Sequence, residues 1–284
     1  MTPTAESFVF DGAGLRLAGE RWTGDDDDAG GAVVLLHGGG QTRHSWQRTA
    51  QALAASGRTA VALDARGHGD SAWDSGQDYS LDAFVGDLVA FVAALEVPPV
   101  LVGASLGGMT ALTAVGEHPG LARGLVLVDV VVQVEQQGVE RIQRFMSAHP
   151  EGFASLDEAA GAIAAYNPHR ARPRNRDGLR KNLRLGHDGR WRWHWDPAFL
   201  RIGDEPQRQV DRRRLGGAAA AVSVPTLIVR GAHSDVVSDA GVADMLRRIP
   251  TARVAAVAAA GHMVAGDDND VFATTLESFL ADID

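Results

Sequence analysis

Short apolar runs alternate with longer stretches of helical spacing along most of the 284 residues. The runs are bounded by Gly or Asp, which is typical of buried strands, and the stretches between them carry apolar residues at helical intervals. The predicted strands are Phe8–Phe10, Leu15–Arg21, Ala32–Leu36, Thr59–Leu63, Val100–Gly103, Leu125–Val128, Pro225–Arg230 and Arg253–Val257, and the predicted helices are Ser45–Ser56, Leu81–Leu95, Leu106–His118, Ala240–Ile249 and Asn269–Asp284. This alternation predicts an α/β fold with an eight-stranded, mostly parallel sheet flanked by helices.

The interval 133–215 breaks the alternation, because no run suited to a buried strand occurs there and the composition becomes helical, Trp-rich and basic. We therefore predict a core of residues 1–132 and 216–284, with 133–215 inserted as a helical cap. The interval carries 16 Arg and Lys residues against 11 Asp and Glu residues, whereas the rest of the chain carries 11 against 25. This positive charge either attracts anionic substrates or pairs with the acidic core.

Overall charge and composition narrow the classes of function. The formal net charge is −9, which disfavours nucleic acid as a partner. The chain has no cysteine, so disulfides, thiolate nucleophiles and Cys-ligated metals are excluded, and we expect no metal or organic cofactor. No stretch approaches the roughly 18 uninterrupted apolar residues that span a bilayer, and the N-terminus lacks a secretion signal. We expect a cytoplasmic enzyme that acts on a small molecule and does not bind a membrane.

A predicted strand–turn–helix junction carries a serine between glycines. The apolar run that ends at Val102 continues as Gly103-Ala104-Ser105-Leu106-Gly107-Gly108 and then as a helical stretch. The pattern Gly-x-Ser-x-Gly in this context is typical of a nucleophile elbow, where the serine takes strained backbone angles and the glycines leave room for a tight turn. Ser105 is therefore the predicted nucleophile.

A serine nucleophile needs a base to take its proton and an acid to orient that base. His262 follows the last predicted strand and precedes the last helix, so its loop returns to the carboxyl edge of the sheet. The remaining histidines, including His194 in the cap, have no such position. We choose Asp235, after the strand Pro225–Arg230, as the acid; Asp129, at the end of the strand Leu125–Val128, is the alternative.

Acyl transfer also places negative charge on a carbonyl oxygen, which backbone N–H groups can stabilise. His37-Gly38-Gly39-Gly40 follows a predicted strand, and its glycines let the backbone approach a ligand closely. We expect the Gly39 and Leu106 N–H groups to form the oxyanion hole, with Gly40 as an alternative to Gly39.

In their order along the chain, these residues resemble the α/β-hydrolase superfamily. The resemblance rests on His37-Gly38, the segment Asp64–Ser71, the elbow at Ser105, Asp235 and Gly261-His262, and it covers nearly the whole chain outside the cap. It implies a serine hydrolase, and it implies that Arg66–Ser71 is a structural turn in which His68 takes no direct part in catalysis.

The chain departs from the superfamily pattern at the acid. The acid commonly stands three residues after the glycine that follows its strand, but Ser234 holds that place here and Asp235 comes one residue later. This shift keeps Asp129 open as the acid.

The cap holds the run Trp191-Arg192-Trp193-His194-Trp195. If the run is extended, Trp191, Trp193 and Trp195 face one side, either as an aromatic wall that binds substrate or as packing that holds the cap on the core. Within the superfamily an esterase or lactonase fits best. The alternatives are a hydrolase of carbon–carbon bonds, which would need a cap arginine such as Arg192 or Arg141 near the substrate, and a ligand-binding receptor on the same scaffold.

Overall fold

The computed structural model describes residues 3–24, 31–166, 177–201, 205–257 and 270–284. The strands are β1 (Glu6–Asp11), β2 (Arg16–Trp22), β3 (Val33–Leu36), β4 (Ala60–Leu63), β5 (Val100–Ala104), β6 (Gly124–Val128), β7 (Leu183–Leu185), β8 (Trp191–Trp193), β9 (Thr226–Gly231) and β10 (Arg253–Val257). The helices are α1 (Gln47–Ala55), α2 (Leu81–Ala93), α3 (Leu106–Glu117), α4 (Gln136–Ser147), α5 (Leu156–Tyr166), α6 (Glu205–Ala221), α7 (Asp239–Arg248) and α8 (Asp270–Ile283). Short 3₁₀ helices lie at Arg43–Trp46, Asp177–Lys181 and Pro197–Arg201.

Eight strands form the main sheet in the order β1-β2-β4-β3-β5-β6-β9-β10. The pairs β1–β2 and β2–β4 are antiparallel, and every later pair is parallel. The predicted α/β fold with an eight-stranded, mostly parallel sheet is therefore confirmed. Because parallel strands present their carboxyl ends at one edge, the segments after β3, β5, β6, β9 and β10 all begin on the same side of the sheet.

The central strands are buried on both faces, as continuous apolar strands in a parallel sheet require. In β3, Val34 and Leu36 pack in one apolar layer with α2 and α3, while Val33 and Leu35 pack in the other with α1 and α8. This two-sided burial fixes the strand ends that carry the candidate site.

The cap interval folds into α4, α5, a two-stranded hairpin of β7 and β8, and the first part of α6. The hairpin is a departure from the expected helical cap. Alternating Trp and Arg residues have the period of a strand rather than of a helix, and the turn is closed by bonds from Gly186 N–H to Arg190 O (2.8 Å) and from Gly189 N–H to Gly186 O (3.0 Å). The predicted boundary at residue 215 falls inside α6, which continues onto the core.

No helix within the described residues combines the length and the apolar character that crossing a bilayer requires.

Candidate active site

Ser105 occupies the turn between β5 and α3 with φ 46° and ψ −114°. Positive φ is unfavourable for a residue with a Cβ, so the surrounding packing must hold Ser105 in this conformation. The packing is close enough to exclude side chains from both flanking glycines: a Cβ at Gly103 would lie 2.5 Å from Gly107 O, and one at Gly107 would lie 2.5 Å from Leu36 O. The strand–turn–helix geometry places Ser105 at the carboxyl edge of the sheet.

The segment His37–Gln41, called here the oxyanion loop, lies against this turn. A Cβ at Gly38 would lie 3.3 Å from the Ser105 Cβ, and one at Gly39 would lie 3.9 Å from the Leu106 Cβ. Within the described residues, the N–H groups of Gly39 and Leu106 have no protein acceptor. By contrast, Gly40 N–H donates to His68 Nε2 at 3.1 Å, so Gly40 is already engaged. An oxyanion hole needs two such backbone donors beside the attacking atom, and the N–H groups of Gly39 and Leu106 lie beside the predicted nucleophile, Ser105.

Asp129 directly follows β6, whose Val128 O accepts the Ser105 N–H at 3.3 Å. Its φ is 53° and the residue is only 2% exposed. Its carboxylate accepts the Gly231 N–H at Oδ1 (3.2 Å) and the Ser234 hydroxyl at Oδ2 (2.6 Å). The structure therefore brings a buried, hydrogen-bonded carboxylate to the strand end next to Ser105.

Asp235 lies in a different environment, on the loop between β9 and α7. Its side chain is 37% exposed and pairs with Arg141 of α4, with Nε and Oδ2 2.7 Å apart and Nη2 donating to Oδ1 at 3.1 Å. Arg141 also lies over the Tyr166 ring, 4.8 Å from its centroid. The carboxylate chosen from the chain order thus joins the core to the cap.

His262 lies outside the described residues. The last described residue before it is Val257, at the end of β10, which pairs in parallel register with Gly231. Because Gly231 N–H donates to Asp129, Val257 lies at the edge of the sheet where this aspartate is held.

The predicted tryptophans divide between two apolar clusters. Trp195 is buried beside the oxyanion loop, where a Cβ at Gly40 would lie 3.2 Å from its ring. Trp193 stacks on Trp195, with ring centroids 4.8 Å apart and an interplanar angle of 10°. Trp191 packs farther out in the cap, with Arg180 over its ring at 4.8 Å. Only Trp195 and its stacking partner Trp193 belong to the cluster next to Leu106, whose other buried members are Tyr79, Phe84, Met146, Ala198 and Phe199.

Three buried histidines that the sequence did not assign to the site lie in or against the oxyanion loop: His37, His68 and His194. The ring centroids of His37 and His68 are 5.3 Å apart, and those of His68 and His194 are 5.8 Å apart. Burial lowers the pKa of His68 to about 3 and also lowers the pKa values of His37 and His194. We call these residues the histidine stack; its rings are neutral at physiological pH. His37 and His68 lie in segments that carry the family resemblance, but no sequence motif shows that the three rings meet, because they come from three distant segments.

Cap cations pair with carboxylates of the core. The pairs include Arg141 with Asp235 (2.7 Å), Arg184 with Asp70 (3.3 Å) and Arg214 with Glu117 (2.6 Å). Pairing with an acidic core is thus one use of the positive charge of the cap. In the part of the chain that the structure describes, no three His, Asp or Glu side chains are arranged to hold a metal ion.

A family model described as the alpha/beta hydrolase fold matches residues 31–268. Esterase Rv0045c of Mycobacterium tuberculosis is 33% identical over 244 residues, which cover 81% of this chain and 76% of the relative. A 3-hydroxybutyrate-oligomer hydrolase of Cupriavidus necator is 29% identical over 249 residues, which cover 83% of each chain.

Solved structures give the same picture of the fold. The crystal structure of E-2-(acetamidomethylene)succinate hydrolase superposes with a TM-score of 0.83, covering 98% of this chain and 100% of that chain at 23% identity. At that identity the likeness concerns the fold alone.

Proposed function

Because the chain belongs to the α/β-hydrolase superfamily, we propose that it is a serine esterase that cleaves small or medium carboxylic esters or lactones through an acyl-enzyme. The observation that carries the proposal is the positive-φ conformation of Ser105 beside the N–H groups of Gly39 and Leu106, which have no acceptor among the described residues. The names of the relatives, an esterase and an oligomer hydrolase, support hydrolysis of ester bonds.

In the proposed reaction, Ser105 Oγ attacks the carbonyl carbon while the His262 imidazole takes the hydroxyl proton. The carbonyl oxygen becomes an oxyanion, which accepts hydrogen bonds from the Gly39 and Leu106 N–H groups. The C–O bond to the alcohol then breaks, and the departing alkoxide takes the proton from His262. Water, deprotonated by His262, attacks the acyl-enzyme, and Ser105 leaves with the returned proton to release the acid.

We assign the triad acid to Asp129 rather than to Asp235. An acid that orients a histidine has to be buried and fixed in place, and Asp129 is both. Ser234 stands at the usual position of the family acid but has no carboxylate, and its hydroxyl donates to Asp129. Asp235 is committed to Arg141 at the exposed junction with the cap.

The surroundings of the site favour an apolar substituent on the ester. Gly39 and Gly40 are covered by the Phe199 ring, the Met146 methyl group and the Trp195 ring, which would lie 3.2, 2.9 and 3.2 Å from added Cβ atoms. An ester substituent that reaches these side chains would lie among apolar groups, which bind aliphatic or aromatic groups by excluding water from them.

The two alternatives gain no support from the described residues. Hydrolysis of a carbon–carbon bond would call on Arg141 or Arg192, but Arg141 pairs with Asp235, and Arg192 pairs with Asp188 at 2.6 Å on the exposed hairpin. A receptor would not need a strained serine beside unpaired N–H groups.

The test compares wild type with Ser105→Ala on p-nitrophenyl esters of rising acyl length, aryl lactones and one β-diketone, together with mass detection of a fluorophosphonate adduct. Ser56→Ala, which alters a serine at the end of α1, is the matched control. We expect wild type and Ser56→Ala to hydrolyse an ester and to form the adduct, and Ser105→Ala to do neither. Faster turnover of the β-diketone than of any ester would indicate a hydrolase of carbon–carbon bonds instead. Failure of wild type to form the fluorophosphonate adduct at Ser105 would overturn the proposal.

A further inference from the structure

We propose that His68 is a positioning residue that aims the Gly39 N–H at the oxyanion, and that His194 extends this support from the cap to the same loop. The inference rests on the proposed function, because it assigns the histidine stack to the oxyanion hole of that reaction. It concerns buried imidazoles that the acyl-transfer steps themselves do not use.

Hydrogen bonds fix the tautomer of each ring. A carbonyl only accepts, so His68 Nδ1, 3.0 Å from Arg66 O, carries the proton, and Nε2 is left to accept the Gly40 N–H. In His194 the roles are reversed: Nδ1 accepts the Gly69 N–H at 2.7 Å, so Nε2 carries the proton and faces Gly40 O at 3.4 Å. Neither ring could also hold a second proton without losing a bond to a backbone N–H.

The stack holds three consecutive peptide groups of the oxyanion loop, one for each histidine. His37 Nδ1–H donates to Gly38 O at 2.8 Å, and Gln41 N–H donates to the same oxygen at 3.0 Å. Since a peptide group is planar, fixing Gly38 O also fixes the opposite direction of the Gly39 N–H.

His68 holds the next peptide group through the Gly40 N–H, and His194 holds the one after it through Gly40 O. Both torsions of Gly39 are therefore set by groups on either side of it, although its own N–H has no acceptor among the described residues. Gly40 has φ 75°, a conformation that glycine adopts readily, so without these bonds the loop would have other conformations open to it.

Preorganised donors stabilise a transition state because they do not have to reorient when the charge develops. Loss of the His68 acceptor would leave the partly buried Gly40 N–H unpaired, and the loop would then turn to satisfy it. His194 lies on the segment that follows the hairpin, so detachment of the cap would loosen the same loop.

The test uses His68→Phe, which fills the space without accepting, and His68→Gln, whose Oε1 can take the place of Nε2. We expect His68→Phe to lower kcat/KM for the ester about 10- to 100-fold with KM within about threefold, a cost below that of removing an oxyanion donor outright. His68→Gln should recover most of the kcat/KM that His68→Phe loses, although we expect the melting temperatures of the two variants to fall by similar amounts. His118→Gln, at an exposed position, is the control and should match wild type.

A second pair of variants separates positioning from folding in the cap. The amide of His194→Gln reaches the place of Nε2 and can donate to Gly40 O, whereas the shorter amide of His194→Asn takes the place of Nδ1 and reaches only the Gly69 N–H. We therefore expect the glutamine variant to be the more active by about threefold or more. The second-order rate of fluorophosphonate labelling at Ser105 should fall in parallel with kcat/KM in all variants, because phosphonylation places charge on the same N–H groups.

The labelling rate keeps the two proposals distinguishable, since it requires the nucleophile but not the correct ester. If wild type labels but cleaves no ester, the substrate class is wrong, and the order of labelling rates still decides the role of the stack. Equal losses in His68→Phe and His68→Gln, or kcat/KM within threefold of wild type in a folded His68→Phe, would overturn the positioning role. Should His68→Phe not fold, equal activity of the two His194 variants would do the same.

Discussion

The loops after β6 and β9 each carry an aspartate at one edge of the sheet, but they place the two carboxylates in opposite environments. Asp129 is 2% exposed, has φ 53° and accepts hydrogen bonds from Gly231 and Ser234. The Asp235 side chain is 37% exposed and faces Arg141 of the cap. Burial and fixed donors suit an acid that orients a histidine, while an exposed ion pair suits attachment of a cap. Chain order alone does not separate these roles.

The comparison is tested most strongly by exchanging each carboxylate for an amide. Asp129→Asn should lower kcat/KM by about 10⁴-fold, because an amide favours the wrong tautomer of the histidine. Asp235→Asn is the matched variant and should stay within about fivefold of wild type, since it removes only a partly exposed ion pair. Kinetics on the ester with the highest turnover would check this. The reverse order of effects would return the acid to Asp235.

Acid should destabilise the buried region that holds the histidine stack more than the exposed ion pair between Arg141 and Asp235. His37, His68 and His194 have lowered pKa values in the folded protein, for His68 about 3 because of burial. The unfolded chain then binds more protons below pH 6.5, so stability is present above that pH and is lost as pH falls toward 3. The expected slope is up to about 1.4 kcal/mol per pH unit for each histidine.

Urea unfolding between pH 7 and pH 5 would measure this slope. His68→Gln should flatten it, and Arg141→Met should leave it unchanged. An identical slope in His68→Gln would show that this histidine is not what couples stability to pH.

Ser234 joins the two regions, because it precedes Asp235 in sequence but donates to Asp129. Ser234→Ala should lower kcat/KM by about 10-fold, the cost of one hydrogen bond to a charged group, with little change in KM. Ser238→Ala removes an N-cap hydroxyl of α7 farther along the same loop and serves as the control. Equal activity in the two variants would separate Ser234 from the reaction.

The smallest expected effect concerns the ion pair between Arg141 and Asp235. Arg141→Met keeps most of the apolar length of the side chain and should lower the free energy of unfolding by no more than about 1 kcal/mol, as partly exposed pairs contribute little. A double-mutant cycle with Asp235→Asn, measured by urea denaturation, would isolate the pair. A coupling energy of several kcal/mol would mean that Asp235 does more than attach the cap.

Much of the fold follows from local pattern. The apolar runs predict all eight strands of the main sheet, and the glycines around Ser105 predict the turn that holds it at positive φ. Both signals are contained within a few residues, where sequence patterns are most informative.

The rest depends on contacts between distant segments. The sequence does not decide whether Asp129 or Asp235 is the acid, because it does not show that Arg141 of α4 pairs with Asp235. The support of Gly40 by His68 and His194 joins residues 28 and 154 positions apart. His262 as the base, and 133–215 as the limits of the cap, stay predictions.

Helix α6 sets a practical limit on treating the cap as an exchangeable module. Its C-terminal half touches α3, the helix that begins directly after Ser105, so closely that a Cβ at Gly116 would lie 2.3 Å from Ala218 O. Arg214 on the same helix pairs with Glu117 at 2.6 Å and Asp82 at 2.7 Å. A chimera spliced at residue 215 would therefore cut through a single helix and expose α3, the helix that follows Ser105. Exchange of lids between relatives should keep α6 with the core and join the foreign segment before it.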